Sequence, residues 1–259
     1  MSLRSRNNTG FSLLEVLISI VLLVVISFSI FQAISETYKL RDVITHEGDF
    51  YNGIRLAMNV VQRDIELLYS PLLMKPEEKK SNRPPSAEVD QELPEYTPSE
   101  FFGPPVDKTG IRPTRFFGSD SKLSFVSASH VRVYKDATET DLNKIGYALD
   151  TDTDQIPEPG LKMLIKTSST AVFNYDELKD NSKRKYPLLH GIKKLQFRFY
   201  QKEKQQWYSS WDSEKSDFKD KMPDAVEVKL EVLGPSNLNF EGTYRFKPEM
   251  PFNGLAPTT

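Results

Sequence analysis

Twenty consecutive residues without a charge, Val16 to Ser35, constrain this chain more than any other feature. At about 1.5 Å per residue a helix of that length spans roughly 30 Å, the hydrocarbon thickness of a bilayer. Fourteen residues between Val16 and Ile34 are Val, Leu, Ile or Phe. At roughly −0.3 to −0.6 kcal/mol each, they favour insertion by about 6 kcal/mol. Ser19, Ser27, Ser29, Gln32 and Ser35 offset only part of that. The run therefore reads as a membrane span over about 14–35. Arg4 and Arg6 precede it with no acid, so they stay cytoplasmic and everything after about Glu36 is placed across the membrane. A secretory signal peptide fits poorly, because its apolar region is about 7–15 residues long and ends in small residues at a cleavage site.

Composition narrows the chemistry. The 259 residues carry 34 basic and 36 acidic side chains, a net charge of −2. That balance excludes a general nucleic-acid binder, since phosphate neutralisation needs a basic surplus. Cysteine is absent, which removes disulfides, thiolate nucleophiles and Cys-type zinc sites. His46, His130 and His190 are far apart and form no metal-ligand spacing. Asp150, Asp152 and Asp154 alternate like the start of a calcium loop. Gln155 and Leu161, however, stand where that loop needs glycine and glutamate, so a turn is expected. No Gly-x-Ser-x-Gly, P-loop or dinucleotide fingerprint occurs. The expectation is a non-enzyme with no catalytic residues, no cofactor and no metal.

Glu15 is the residue that an ordinary anchor does not explain. A carboxylate inside a span costs up to about 2.5–3.5 kcal/mol, less near the interface, and needs a named partner. With its surroundings, Gly10-Phe11-Ser12-Leu13-Leu14-Glu15, it resembles the signal sequence of type IV pilin-like prepilins. The resemblance implies cleavage by prepilin peptidase between Gly10 and Phe11 and N-methylation of Phe11. It also implies that Glu15 pairs with the α-amino group of a neighbouring subunit. In lipid each of those charges needs the other, so the pair would fix the axial register of adjacent helices.

Beyond the span, Leu40, Ile44, Glu47, Phe50, Ile54, Met58, Val61, Ile65 and Leu68 recur every three or four residues, an amphipathic stripe. A helix over 11–70 is expected, weakened by a kink or break near Gly48 and Gly53 and stopped by Pro71. Nine of the 17 prolines lie between Pro71 and Pro113, so 71–121 reads as an irregular loop. Within it Phe101-Phe102 and Arg115-Phe116-Phe117 are expected to cover the core. From Lys122 the periodicity turns to two. Strands are expected at Leu123–Val126, Val131–Tyr134, Ile145–Leu149, Leu161–Thr167, Leu195–Tyr200, Val226–Val232 and Thr243–Lys247. In the sixth of these, Glu227, Lys229 and Glu231 would form a wet face. Trp207 and Trp211 are expected as core aromatics at the sheet edge, and Lys183-Arg184-Lys185 as a solvated loop. The fold class is α+β and type IV pilin-like, a long N-terminal hydrophobic helix followed by a mostly antiparallel β-sheet domain. The pieces are 1–10, a leader; 11–70, the helix; 71–121, the loop; 122–247, the sheet domain; and 248–259, a loose tail.

The second half resembles the J-type minor pseudopilins of type II secretion systems. The resemblance runs from Arg55-Leu56-Ala57-Met58 and Arg63-Asp64-Ile65 to Ile145-Gly146-Tyr147-Ala148-Leu149. It continues in Pro187-Leu188-Leu189-His190-Gly191-Ile192, Trp207, Trp211 and Met222-Pro223-Asp224-Ala225-Val226. The chain departs from the family's pattern in its longer proline-rich stretch. It also has Ser129-His130-Val131 where a Gly-Trp-x-x-Pro-like turn is common. The resemblance implies a structural subunit of the pseudopilus tip that supports protein export across the outer membrane. Its implied partners are K-type and I-type pseudopilins, the major pseudopilin, prepilin peptidase and the inner-membrane assembly platform. Lipid would surround the helix before extraction, with the sheet domain in the periplasm of a bacterial cell. Two other readings stay open at this point: a minor pilin of a type IV pilus or DNA-uptake system, and a membrane-anchored periplasmic enzyme or binding module.

Overall fold

The computed structural model describes residues 12–71, 99–105, 112–132, 140–152, 160–173, 180–219, 221–234 and 238–249. The chain separates into two compact units, one ending at Phe50 and the other beginning at Tyr51.

A single 54-residue helix, α1, runs from Leu13 to Glu66. Ser12 caps it: the Glu15 amide donates to the Ser12 hydroxyl at 3.2 Å. No break occurs at Gly48 or Gly53, contrary to expectation, and α1 is helical through both. Each glycine costs a helix about 1 kcal/mol against alanine, which a helix of this length absorbs. In the first unit every large apolar side chain from Leu13 to Ile34 is exposed. Its buried face lies in the second unit, at Ile54, Ala57, Met58, Val61, Asp64 and Ile65. Leu40 and Ile44, expected in the packed stripe, are exposed.

Nine strands follow among the described residues: β1 Phe117–Gly118, β2 Lys122–Ser127, β3 Asn143–Thr151, β4 Lys162–Ser169 and β5 Arg184–Gln201. The others are β6 Gln206–Tyr208, β7 Trp211–Asp212, β8 Ala225–Leu233 and β9 Asn239–Phe246. They form one sheet in the order β7-β1-β2-β3-β4-β5-β8-β9, with β6 on β5. Every pairing is antiparallel. Alternation is the cause, because one face carries Leu123, Phe125, Ile145, Tyr147, Phe197, Phe199, Val226 and Val228, all buried. Phe116 stacks on Phe125 at 5.8 Å and meets Phe199 edge-on at 5.7 Å. Phe101 and Phe102 build a second cluster with Val126 and Val172, so those two phenylalanines do cover the core. Phe116, packed on Phe125 and Phe199, is fully buried, whereas Phe117 is half-buried.

The expected strand at Val131–Tyr134 is not seen in its described part. Val131 and Arg132 are irregular and exposed, with Arg132 forked onto Asp141 at 2.8 and 3.0 Å; Val133 and Tyr134 lie outside the described residues. The chain leaves β2 there because its bonds go to the end of α1 instead: the Ala128 amide donates to the Leu67 carbonyl and the Tyr69 amide to Val126.

β5 was underestimated. It is 18 residues long, turning at Gly191, whose φ of 73° only glycine adopts readily. Pairing registers shift on both sides of that point. Arg184 and Lys185 are therefore strand, not loop, though both are solvated. β8 pairs only with Ile192–Tyr200, so the Arg184–Gly191 half of β5 has β4 on one side and no described strand on the other. Arg184, Lys185 and Pro187 lie in that half, and are residue types that discourage further strands from adding.

Candidate assembly site

Gly10 and Phe11 lie outside the described residues. Glu15 sits in the first turn of α1, exposed, where the positive end of the helix dipole favours an acid. Its carboxylate accepts no bond from the described residues. Two serines of the apolar run bond back along the helix: Ser19 donates to the Glu15 carbonyl at 2.8 Å and Ser29 to Val25 at 2.9 Å. Such bonds to the preceding turn let hydroxyls sit in an apolar helix without an outside partner. Among the described residues α1 is the one helix long and apolar enough to cross a membrane.

The other polar centre was missed. Asp64 is 2% exposed in the middle of the buried face of α1. Its Oδ1 accepts from the Ser129 hydroxyl at 2.6 Å, and its Oδ2 from the Tyr147 hydroxyl at 2.5 Å. The Lys166 ammonium makes an ion pair with the same Oδ2. Ser127 adds a bond from its hydroxyl to the Asp64 carbonyl at 2.9 Å. Thus the segment just past β2 and the centres of β3 and β4 all converge on one carboxylate, while the end of β2 holds the backbone of the same residue. A buried charge is tolerated only when paired and hydrogen-bonded like this. A readable signal existed: Val61, Asp64 and Leu68 share the helical stripe, and an acid on an apolar stripe must be partnered. Ser129, where the chain departs from the family pattern, is one of those partners.

Burial, then the adjacent Asp64 carboxylate and its hydrogen bond, raise the Tyr147 phenol well above its ordinary 10.0. The unfolded chain ionises Tyr147 first, so this group's stabilising contribution is intact below pH 10.0 and is lost as pH climbs toward the folded value. Titration of tyrosinate absorbance should show one phenol that ionises only with unfolding. Its ionisation alongside the exposed tyrosines would contradict the burial.

The remaining sequence candidates separate. Trp211 is buried as expected, its indole donating to the Lys221 carbonyl at 3.0 Å and its ring stacked on Phe218 at 4.2 Å. Trp207 is not core. It is half-buried on the sheet face, with the Arg198 and Arg245 guanidinium groups 5.6 and 5.7 Å from its ring. Beneath them Glu227, expected on a wet face, is 1% exposed and accepts from both arginines at 3.3 and 2.8 Å. The expected turn does not begin at Asp150, which belongs to β3; Asp152, just past that strand, reaches β5, taking the Gly191 amide at 3.0 Å with His190 Nδ1 also at 3.0 Å. Asp154 lies outside the described residues, and no cluster of three possible metal ligands occurs among those described.

Residues 5–31 match the prokaryotic N-terminal methylation motif. Residues 32–238 match the type II secretion system (T2SS), protein J family. Among solved structures, a chain of the GspK-GspI-GspJ complex from the enterotoxigenic Escherichia coli type 2 secretion system is similar at 16% identity. That match covers 77% of this chain and 99% of the other, with a TM-score of 0.40. No curated protein matches. With a methylation motif at its head and the protein J match over most of its length, the chain belongs to the type II secretion system protein J family, the J-type minor pseudopilins.

Proposed function

We propose that this chain is a non-enzymatic subunit of the pseudopilus tip, made as a prepilin in the inner membrane with its sheet domain in the periplasm. The observation that carries the reading is the direct succession of a methylation motif over 5–31 and the protein J match from 32. In this reading 1–10 is a leader, 11–70 the assembly helix, 71–121 a surface loop, 122–247 the head domain and 248–259 a tail. Prepilin peptidase cuts between Gly10 and Phe11, and Phe11 is then N-methylated. Losing Arg4 and Arg6 takes the net charge from −2 to −4 (−2 minus 2) and removes the cytoplasmic charge anchor.

The partners in this reading are K-type and I-type pseudopilins, the major pseudopilin and the inner-membrane assembly platform. Glu15 then pairs with the new α-amino group of a neighbour, and each apolar helix exchanges lipid for other helices as it is extracted. That exchange is nearly neutral for apolar contact, so the charge pair supplies the directional element.

The test is intact-mass and N-terminal analysis after co-expression with a prepilin peptidase. The expected product begins with methylated Phe11. A product still beginning at Met1, or cut after the apolar run, would overturn the reading. Glu15→Ala is expected to be processed normally yet fail to co-purify with K-type and I-type partners; normal co-purification removes the pairing role.

A further inference from the structure

The apolar face that α1 lays on the sheet is close to repetitive. Ile54, Met58, Val61 and Ile65 follow one another at three- and four-residue steps, and apolar contact has no direction. A slide by one turn would bury a similar surface. The backbone bonds just past the helix, from Tyr69 to Val126 and from Ala128 to Leu67, are blind to side chains. They fix that the chain pairs there, not which residues do. Asp64 is not degenerate in this way. Its carboxylate meets a serine just past β2, a tyrosine on β3 and a lysine on β4, and one position of the helix satisfies all three.

We propose that Asp64 is a positioning residue for assembly, its buried contacts selecting a single rotation and register of the Tyr51–Glu66 segment on the sheet. A buried ionic cluster adds little net stability over apolar groups of the same volume. Its best-attested use is to exclude alternative registers, as one buried asparagine does in a coiled coil. The assembly half of this inference rests on the pseudopilin reading, because only a subunit that packs through both helix and head needs one fixed relation between them. The register half stands without it.

The chain has no cysteine, so introduced pairs report cleanly. Tyr51→Cys with Phe240→Cys, replacing rings that meet at 6.2 Å, reports the native register through a short bismaleimide. Arg55→Cys with Phe240→Cys reports a shift of one turn. Both are placed in the full-length protein, and in a triple variant, Asp64→Leu, Tyr147→Phe and Lys166→Met, that removes the cluster without stranding a charge. The unaltered cluster should link through the first pair. The triple variant should melt cooperatively at an undiminished temperature, link through both pairs, and lose incorporation with its partners. A triple variant that links only through the first pair overturns the register role; one that fails to fold overturns it too, because the cluster is then needed for stability.

A second variant, Asp64→Asn with Lys166→Met, keeps hydrogen bonding to Ser129 and Tyr147 and should retain the single link. A second link there contradicts the proposal. Register loss with normal incorporation overturns the assembly half alone. Failure of the pseudopilin reading is seen separately, in whether the chain is cut before Phe11.

Discussion

Replacing Asp64 by alanine is expected to lower unfolding free energy by about 3–5 kcal/mol, the usual cost of removing one partner from a buried ion pair. The size follows from what stays behind. The Lys166 side chain is 14% exposed and would keep its charge beside the apolar helix face with no counter-ion from α1. The Tyr147 hydroxyl, wholly buried, would lose its acceptor, and the Ser129 hydroxyl would keep only its 3.4 Å bond to Asn143 Oδ1. Urea unfolding of the full chain in detergent measures it, as a lower midpoint at unchanged slope. Lys166→Met made in the alanine background should recover part of the loss, because the stranded charge goes with it. If the alanine variant unfolds at the wild-type midpoint, the carboxylate is not where the structure puts it.

Gly118→Ala should be the next most damaging single change. A Cβ on Gly118 would lie 2.1 Å from Cζ of Phe199, far inside contact distance, and Phe199 has no room to retreat. Its ring is fully buried and packed edge-on against Phe116. Overpacking of a filled core typically costs about 1–3 kcal/mol, and the rigid neighbours here point to the upper part of that range. Phe199→Leu shortens the obstructing ring and leaves a small cavity of its own. Combined with Gly118→Ala it should cost less than the two changes summed, since the new methyl fills that space. A double-mutant cycle on denaturant midpoints checks this, and strict additivity would deny the contact.

Long-range architecture was legible because two strong periodicities dominate the chain. The uncharged run placed the apolar first part of α1, and alternation at Leu123–Val126, Leu195–Tyr200 and Val226–Val232 placed three central strands. What escaped was decided by contacts distant in sequence. Glu227 looks like an outward residue of an alternating strand. It is buried because Arg198, Arg245 and the ring of Trp207 close over it from three other strands. Val131 has strand propensity, yet the chain around it is taken up by the end of α1. The first half of β5 carries Arg184, Lys185 and Pro187, a local pattern that argues against a strand, and its pairing with β4 overrides that.

The candidate assembly site divides in the same way. Glu15, the proposed pairing residue, stands out in the sequence because it breaks an apolar run, an anomaly visible without any partner. Asp64 sits among polar helix neighbours such as Gln62 and Arg63, where an acid attracts no notice. Only the helical stripe through Val61 and Leu68 marks its direction, and its partners lie 65, 83 and 102 positions further along the chain.

A long strand with one side unpaired is a hazard for any protein that meets further copies of itself. An uncovered ribbon of amide groups would let such neighbours zip together, copy after copy, into an insoluble stack. The cations and the proline in the half of the longest strand that has one described neighbour discourage that route. Association is left to helices and side-chain surfaces, which can let go again.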